Sequence, residues 1–214
     1  MPRGFIPWSI EVQSDYVGFA EEMASLLSSG YTDLEINKLT NGNGTTEPKG
    51  IITALSANAA VRVRVATPGT LVVGDVYAAW EALPVRFRQQ AHTSWLSSTS
   101  VQDKIRQFGA TYGANYTVDL TRPVLADLLG SPVRLTDYMP VFPAFATTNT
   151  PYAIIGSWDH FVVARRQGMA IEPVPLLFDP TTGRPTGQRG AFAWARVGST
   201  TDTDLAFRLL GNVT

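Results

Sequence analysis

The chain has 214 residues, 17 lysines and arginines against 18 aspartates and glutamates, two histidines and no cysteine. That length buries a core in one large domain or two small ones. The absence of cysteine excludes disulfides, thiolate metal centres and cysteine nucleophiles, and a net charge of −1 excludes the broad basic field of a tight nucleic-acid binder. With 44% hydrophobic and 16% charged residues, the sequence describes an ordered protein whose weakly self-repelling surface suits packing against copies of itself. The longest apolar runs are too short to span a membrane, and no secretory core follows Met1-Pro2-Arg3, so a chain without membrane or export signals is expected.

In chain order, Phe5 to Val12 alternates loosely and predicts an extended lead-in. The periodicity then predicts one long spine helix over 15–38, with Phe19, Met23, Leu26, Leu27, Tyr31 and Leu34 as a single apolar stripe. Ser14 or Asp15 is the expected N-cap, and Asn41-Gly42-Asn43-Gly44 is the expected stop, because these residues tolerate a left-handed backbone. Ile51-Ile52-Thr53 predicts a short strand, and 56–65 an edge strand or arm.

A second helix is predicted from Leu71 or Asp75 to Leu83, ended by Pro84. Ala91 to Leu96 predicts a buried strand around Trp95, and Ser97 or Ser98 caps a third helix with Val101, Ile105 and Phe108 inward. Strands follow at 133–135 and 152–155, separated by the proline-rich loop 139–151. Phe161 to Ala164 and Met169 to Ile171 flank Arg165-Arg166-Gln167-Gly168 and predict a hairpin, and 173–187 is a connection. Alternating Phe192 and Trp194, then a turn at 198–202, then Leu205, Phe207 and Leu209 predict a terminal hairpin lying along the spine. Spine and terminal hairpin form one expected unit, and the middle of the chain is a compact insertion in it.

Chemistry is sparse. His92 lies near Ser94, Ser97 and Ser98, and His160 follows Ser157-Trp158-Asp159. Adjacent side chains on a strand diverge, so Asp159 does not orient His160 in the manner of a triad, and no G-x-S-x-G elbow is present. Two distant histidines supply no zinc set, and the NGNG spacing is neither a phosphate loop nor a dinucleotide fingerprint. No catalytic, metal-binding or cofactor-binding residue is assigned.

Four stretches carry a resemblance. Phe5–Leu27 (FIPWSIEVQSD, then FAEEMASLL), Asn41–Leu55 (NGNGTTEPKGIITAL), Ala126–Pro140 (ADLLGSPVRLTDYMP) and Ile154–Glu172 (IIGSWDHFVVARRQGMAIE) resemble, in this order, motifs of tailed-bacteriophage major capsid proteins with the Hong Kong ninety-seven capsid fold. The resemblance implies an α+β fold with a peripheral domain, residues 1–57 with 184–214, and an inserted axial domain, residues 58–183. It implies a structural protein, not an enzyme, forming homo-oligomeric pentamers and hexamers that tile an icosahedral virion shell after assembly in the host cytoplasm. Scaffolding and portal partners, weak non-specific contact with packaged DNA, and no membrane or cofactor follow from the same likeness. The family's N-terminal arm and extended loop have no counterpart here, and no lysine–asparagine pair is assignable to a crosslink. Tyr112, Asn115, Tyr116, Phe142, Phe145 and Asn149, in two uncharged aromatic loops, are the candidate contacts at the capsomer axis. Three other readings stand beside it: an encapsulin-type compartment shell, a small α+β hydrolase using His160 or His92, and an isolated interaction module.

Overall fold

The computed structural model describes residues 3–16, 18–108, 126–141 and 150–212. In chain order the elements are β1 (Arg3–Ser9), α1 (Ile10–Asp15), α2 (Phe19–Asn41), α3 (Ile51–Ser56), β2 (Arg62–Arg64), α4 (Val73–Ala82), α5 (Val85–Arg88), β3 (Thr93–Ser97), α6 (Thr99–Arg106), β4 (Asp127–Leu128), β5 (Ser131–Leu135), β6 (Thr150–Ser157), β7 (Phe161–Val174), β8 (Gln188–Thr201) and β9 (Phe207–Asn212).

The strands divide into two sheets. One has three strands in the order β1-β8-β7, all antiparallel. The other has six, β2-β9-β6-β3-β5-β4, with parallel pairs at β2/β9 and β3/β5. In the six-stranded sheet every residue of β6 and β9 is buried, as central strands covered on both faces require. Its core includes Leu55, Val61, Trp95, Tyr152, Ile154 and Phe207. The three-stranded sheet has a separate, smaller core in which Leu27 of α2 packs on Ala191 and Ala193, flanked by Ile6, Trp8, Met169 and Ile171. Small alanines on β8 let the helix approach the sheet closely.

The 23-residue α2 is the expected spine, roughly 35 Å long, but its start and its burial differ from expectation. Ser14 and Asp15 end the short α1 instead, whose N-cap is Ser9, accepting from Val12 N–H at 3.2 Å. α2 starts after Gly18, held at φ 88°. Only Leu27 and Thr40 of α2 are buried, and Leu26 is 54% exposed. Phe19, Met23, Tyr31 and Leu34 of the predicted stripe are half-buried, so within that stripe Leu26 alone faces outward.

The helix stops where expected, for a different reason at Gly42. That residue has φ −57°, and its N–H caps Lys38 O at 2.8 Å. A Cβ on Gly42 would collide with the Pro48 and Lys38 carbonyls, and one on Gly50 would lie 2.5 Å from Gly42 N and 2.6 Å from Thr40 O. The two glycines interlock by close approach; only Gly44, at φ 76°, uses a left-handed backbone.

Four local expectations are corrected. Residues 51–53 are helical: Ile51, Ala54 and Leu55 recur at i, i+3 and i+4 and all are buried, so core contacts override the β-branched run. The segment 56–65 is a short 3₁₀ turn, Ala59–Val61, leading into the three-residue β2. Phe161 to Ile171 is no hairpin. It lies within the continuous β7, in which Arg165↔Val197, Gln167↔Arg196 and Ala170↔Trp194 pairings leave one extra residue on β7 at each of two bulges. Finally, β8 and β9 are not a hairpin; β8 pairs with β1 and β7, and β9 with β2 and β6. The long hairpin of the molecule is β7–β8, and the connection 175–187 is its tip. β7 thus pairs with β8 in the three-stranded sheet, and β9 lies between β2 and β6 in the six-stranded one.

Candidate functional site

The six axis candidates, Tyr112, Asn115, Tyr116, Phe142, Phe145 and Asn149, lie outside the described residues. The two histidines do lie within them. His92 Nδ1 is 2.7 Å from Asp159 Oδ1, with both side chains at least half exposed. His160 Nδ1 faces Asp202 at 3.5 Å and stacks edge-on against Phe87. The acid next in sequence to one histidine thus serves the other, 67 residues away. In both pairs the group facing the imidazole Nδ1 is a carboxylate, Asp159 for His92 and Asp202 for His160. Ser94, near His92 along the chain, is buried in β3. The described residues contain no group of three or more metal-capable side chains, and no helix long and apolar enough to cross a membrane.

What the geometry offers instead is surface. Beside α2 runs a groove of about 300 Å³ lined by Tyr31, Leu34, Glu35, Lys38, Glu47 and Pro48. Its walls are fixed by ion pairs. Arg165, carried on the first bulge of β7, places Nε and an η nitrogen each 2.8 Å from Glu35 Oε1, and Lys38 Nζ lies 2.6 Å from Glu47 Oε1. The hydrogen bond from Lys38 holds the Glu47 carboxyl below its ordinary range. Because the folded value is depressed, this pair contributes at neutral pH and is lost as pH falls through that depressed value. A carbon-detected titration should therefore show the Glu47 midpoint move up to the ordinary carboxylate range in Lys38→Met; an unmoved midpoint would show that the pair does not bind the proton equilibrium.

Exposed apolar side chains also collect at the tip of the β7–β8 hairpin, where Leu176 and Phe178 are 44% and 60% exposed. The tip is tightly ordered. Phe178 bridges Pro185, Asp179 N–H donates to Arg184 O at 2.9 Å, and the Asp179 carboxylate accepts from Thr181 N–H at 2.7 Å. The Thr181 N–H, with the Thr182 side chain behind it, holds the Asp179 carboxyl below its ordinary range. Beside the tip, Ile10 N–H donates to Gly187 O at 3.1 Å, yet α1 buries none of its six residues. The one signal for this surface in the sequence was Leu176-Leu177-Phe178, an apolar triplet inside a proline-rich connection.

The family model described as the phage capsid family matches residues 3–210. Among solved structures, the capsid of a native GTA particle, computed with C5 symmetry, superposes with a TM-score of 0.82 at 18% identity, covering 100% of this chain and 72% of that one. The Gordonia phage Cozz structure gives 0.68 at 12% identity, covering 100% and 69%. The holo-SrpI encapsulin complex of Synechococcus elongatus gives 0.68 at 14%, covering 99% and 73%. At such identities these likenesses establish the fold. No curated protein sequence matches the chain.

Proposed function

This chain belongs to the phage capsid family, and from that premise we propose that it builds the pentamers and hexamers of an icosahedral phage head enclosing double-stranded DNA. It is a structural protein of the virion. The observation that carries the finer reading is the full-length superposition, at a TM-score of 0.82, on a capsid determined with five-fold symmetry. The encapsulin likeness, at 0.68, supports the compartment reading less strongly.

In this proposal residues 1–57 with 184–214 form the peripheral lobe and 58–183 the axial lobe, with β7 and β9 exchanged between them by strand pairing. Tyr112, Asn115, Tyr116, Phe142, Phe145 and Asn149 are the proposed axial contacts. Cyclic capsomers use head-to-tail interfaces in which one patch meets a different patch on the next copy. The groove beside α2 and the hairpin tip, opposite in shape, suit such unlike patches. Scaffolding and portal proteins are the proposed assembly partners, and assembly is placed in the host cytoplasm. With a net charge of −1, contact with packaged DNA is weak and non-specific.

The test is light scattering after size exclusion on the complete gene product, with negative-stain microscopy of each peak. Rings or closed shells are expected, and nucleic acid inside shells formed with the portal present would separate a phage head from an enzyme compartment. A monomer at every concentration would overturn the assembly reading.

A further inference from the structure

The chain passes between its two sheets at three places. Residues 57–61 complete the path from β1 and its helices into β2, 158–160 carry β6 into β7, and 202–206 carry β8 into β9. Side chains and backbone tie these passages together. Asn58 Nδ2 donates to Asp204 Oδ2 at 3.2 Å, Thr201 Oγ1 donates to Asp204 Oδ1 at 2.5 Å, and Asp202 N–H donates to His160 O at 2.9 Å. His160 Nδ1 lies 3.5 Å from Asp202 Oδ2, and His92 Nδ1, just before β3, lies 2.7 Å from Asp159 Oδ1. The two histidines of the sequence therefore both hold the 158–160 turn, one to the six-stranded sheet and one to the neighbouring passage.

Histidine is the side chain that ordinarily gains its charge between about pH 5 and 8. A neutral imidazole gives a carboxylate a dipolar N–H, whereas an imidazolium gives a charge-assisted bond roughly twice as strong. We propose that this crossing is a proton-operated clamp. Protonation of His92 and His160 tightens the 158–160 turn against β3 and against 202–206, and loss of the protons loosens the joint between the sheets.

The sign follows from the groups around each ring. Asp159 touches His92 and Asp202 faces His160, so the ties are strongest below the imidazole range and weaken as pH rises through it. Two cations oppose this. Arg134 of β5 lines the same cleft as His92, and Arg86 of α5 lies 4.6 Å from the centre of the Phe87 ring, which His160 meets edge-on at 5.2 Å. Both arginines are exposed, where water and salt screen them. The Asp204 carboxylate is taken up by Asn58 and Thr201. His160 Nε2 is buried without a hydrogen-bond partner. In the neutral ring that atom is an unused lone pair, while the charged ring lies within cation–π range of Phe87. The clamp acts within one chain, whether or not copies assemble.

The test is amide hydrogen exchange of the full chain at about pH 5.5 and about pH 8, on either side of the imidazole range. The double variant His92→Gln/His160→Gln is measured beside it, and the ratio of the two rates at one pH removes the pH dependence of exchange itself. At the lower pH, residues 158–161 and 201–203 should exchange about two- to fivefold slower in the parent chain, the scale of an exposed ion pair. At the higher pH that difference should fall away. Asp159→Asn/Asp202→Asn, which keeps both imidazoles and nearly the same side-chain shape, should abolish the pH response as well. A ratio identical at both pH values would overturn the proposal, and so would a full pH response in the aspartate variant.

Discussion

Arg208→Met should lower folding stability by about 3–5 kcal/mol, the scale for removing a buried charged group from its network. Arg208 is 8% exposed on β9, between β2 and β6, and burial lowers the pKa of its guanidinium below the ordinary arginine value. Nε donates to Ala82 O at 2.9 Å, and one η nitrogen donates to Leu205 O at 3.0 Å and Phe207 O at 2.6 Å. Ala82 ends α4, whose neighbouring carbonyls Glu81 O and Leu83 O are taken by Arg88 at 2.7 and 2.6 Å. Two arginines therefore satisfy the carbonyls that a helix end leaves without partners, and place positive charge at the negative end of its dipole. Methionine fills the stem volume but leaves those three carbonyls dry. Chemical denaturation of Arg208→Met against Arg88→Met is the measurement. The partly exposed Arg88 should cost less, because water can replace its bonds; equal losses would show that burial at 208 adds nothing.

The second large effect is at Trp95. Trp95→Ala should cost about 3–5 kcal/mol, the range for emptying a buried aromatic site, and Trp95→Phe roughly 1–2 kcal/mol through loss of a hydrogen bond and some volume. Trp95 is 1% exposed on β3, which lies between β6 and β5. Its indole N–H donates to Leu128 O at 3.0 Å, fastening the β4–β5 turn, where Leu129 is held at φ 52°. A leucine in the left-handed region carries strain that only fixed surroundings sustain. Trp95→Phe should therefore raise amide exchange at 127–131 more than at β6. Uniform exchange across the sheet would show that the indole bond does not fasten the turn.

Both sites lie in the six-stranded sheet, and neither depends on assembly, so losses there report on the fold of one chain. Surfaces proposed for assembly behave in the opposite way. Phe178 and Leu176 bury little within the chain, so their replacement should leave monomer stability nearly unchanged.

What the sequence determined by itself was local. Spacing of apolar residues placed α2, α4 and α6, because a 3.6-residue period needs no partner to be visible. Asparagine and glycine at 41–44 marked the end of α2, and the run 152–155 marked the central strand β6. Four motifs in fixed order pointed to the capsid family, which the family model then matched across 3–210.

Only the tertiary structure decided which strand pairs with which. Alternation along 192–209 tells which side chains share a face, but not whether the next strand turns back or crosses to another sheet. The continuous β7 was illegible for the same reason: Arg165-Arg166-Gln167-Gly168 suits a turn or a pair of bulges equally, and register with β8 chose the bulges. Helix α3 was hidden because β-branched residues at 51–53 favour strands locally, while the helix is set by Ile51, Ala54 and Leu55, which are buried, Ile51 and Leu55 in the larger core. The pairing of His92 with Asp159 could not be seen from either residue's neighbours, since it joins β3 to the end of β6 across 67 residues. Contacts made within one turn of the chain are written in its spacing; contacts between distant segments exist only once the sheets have closed.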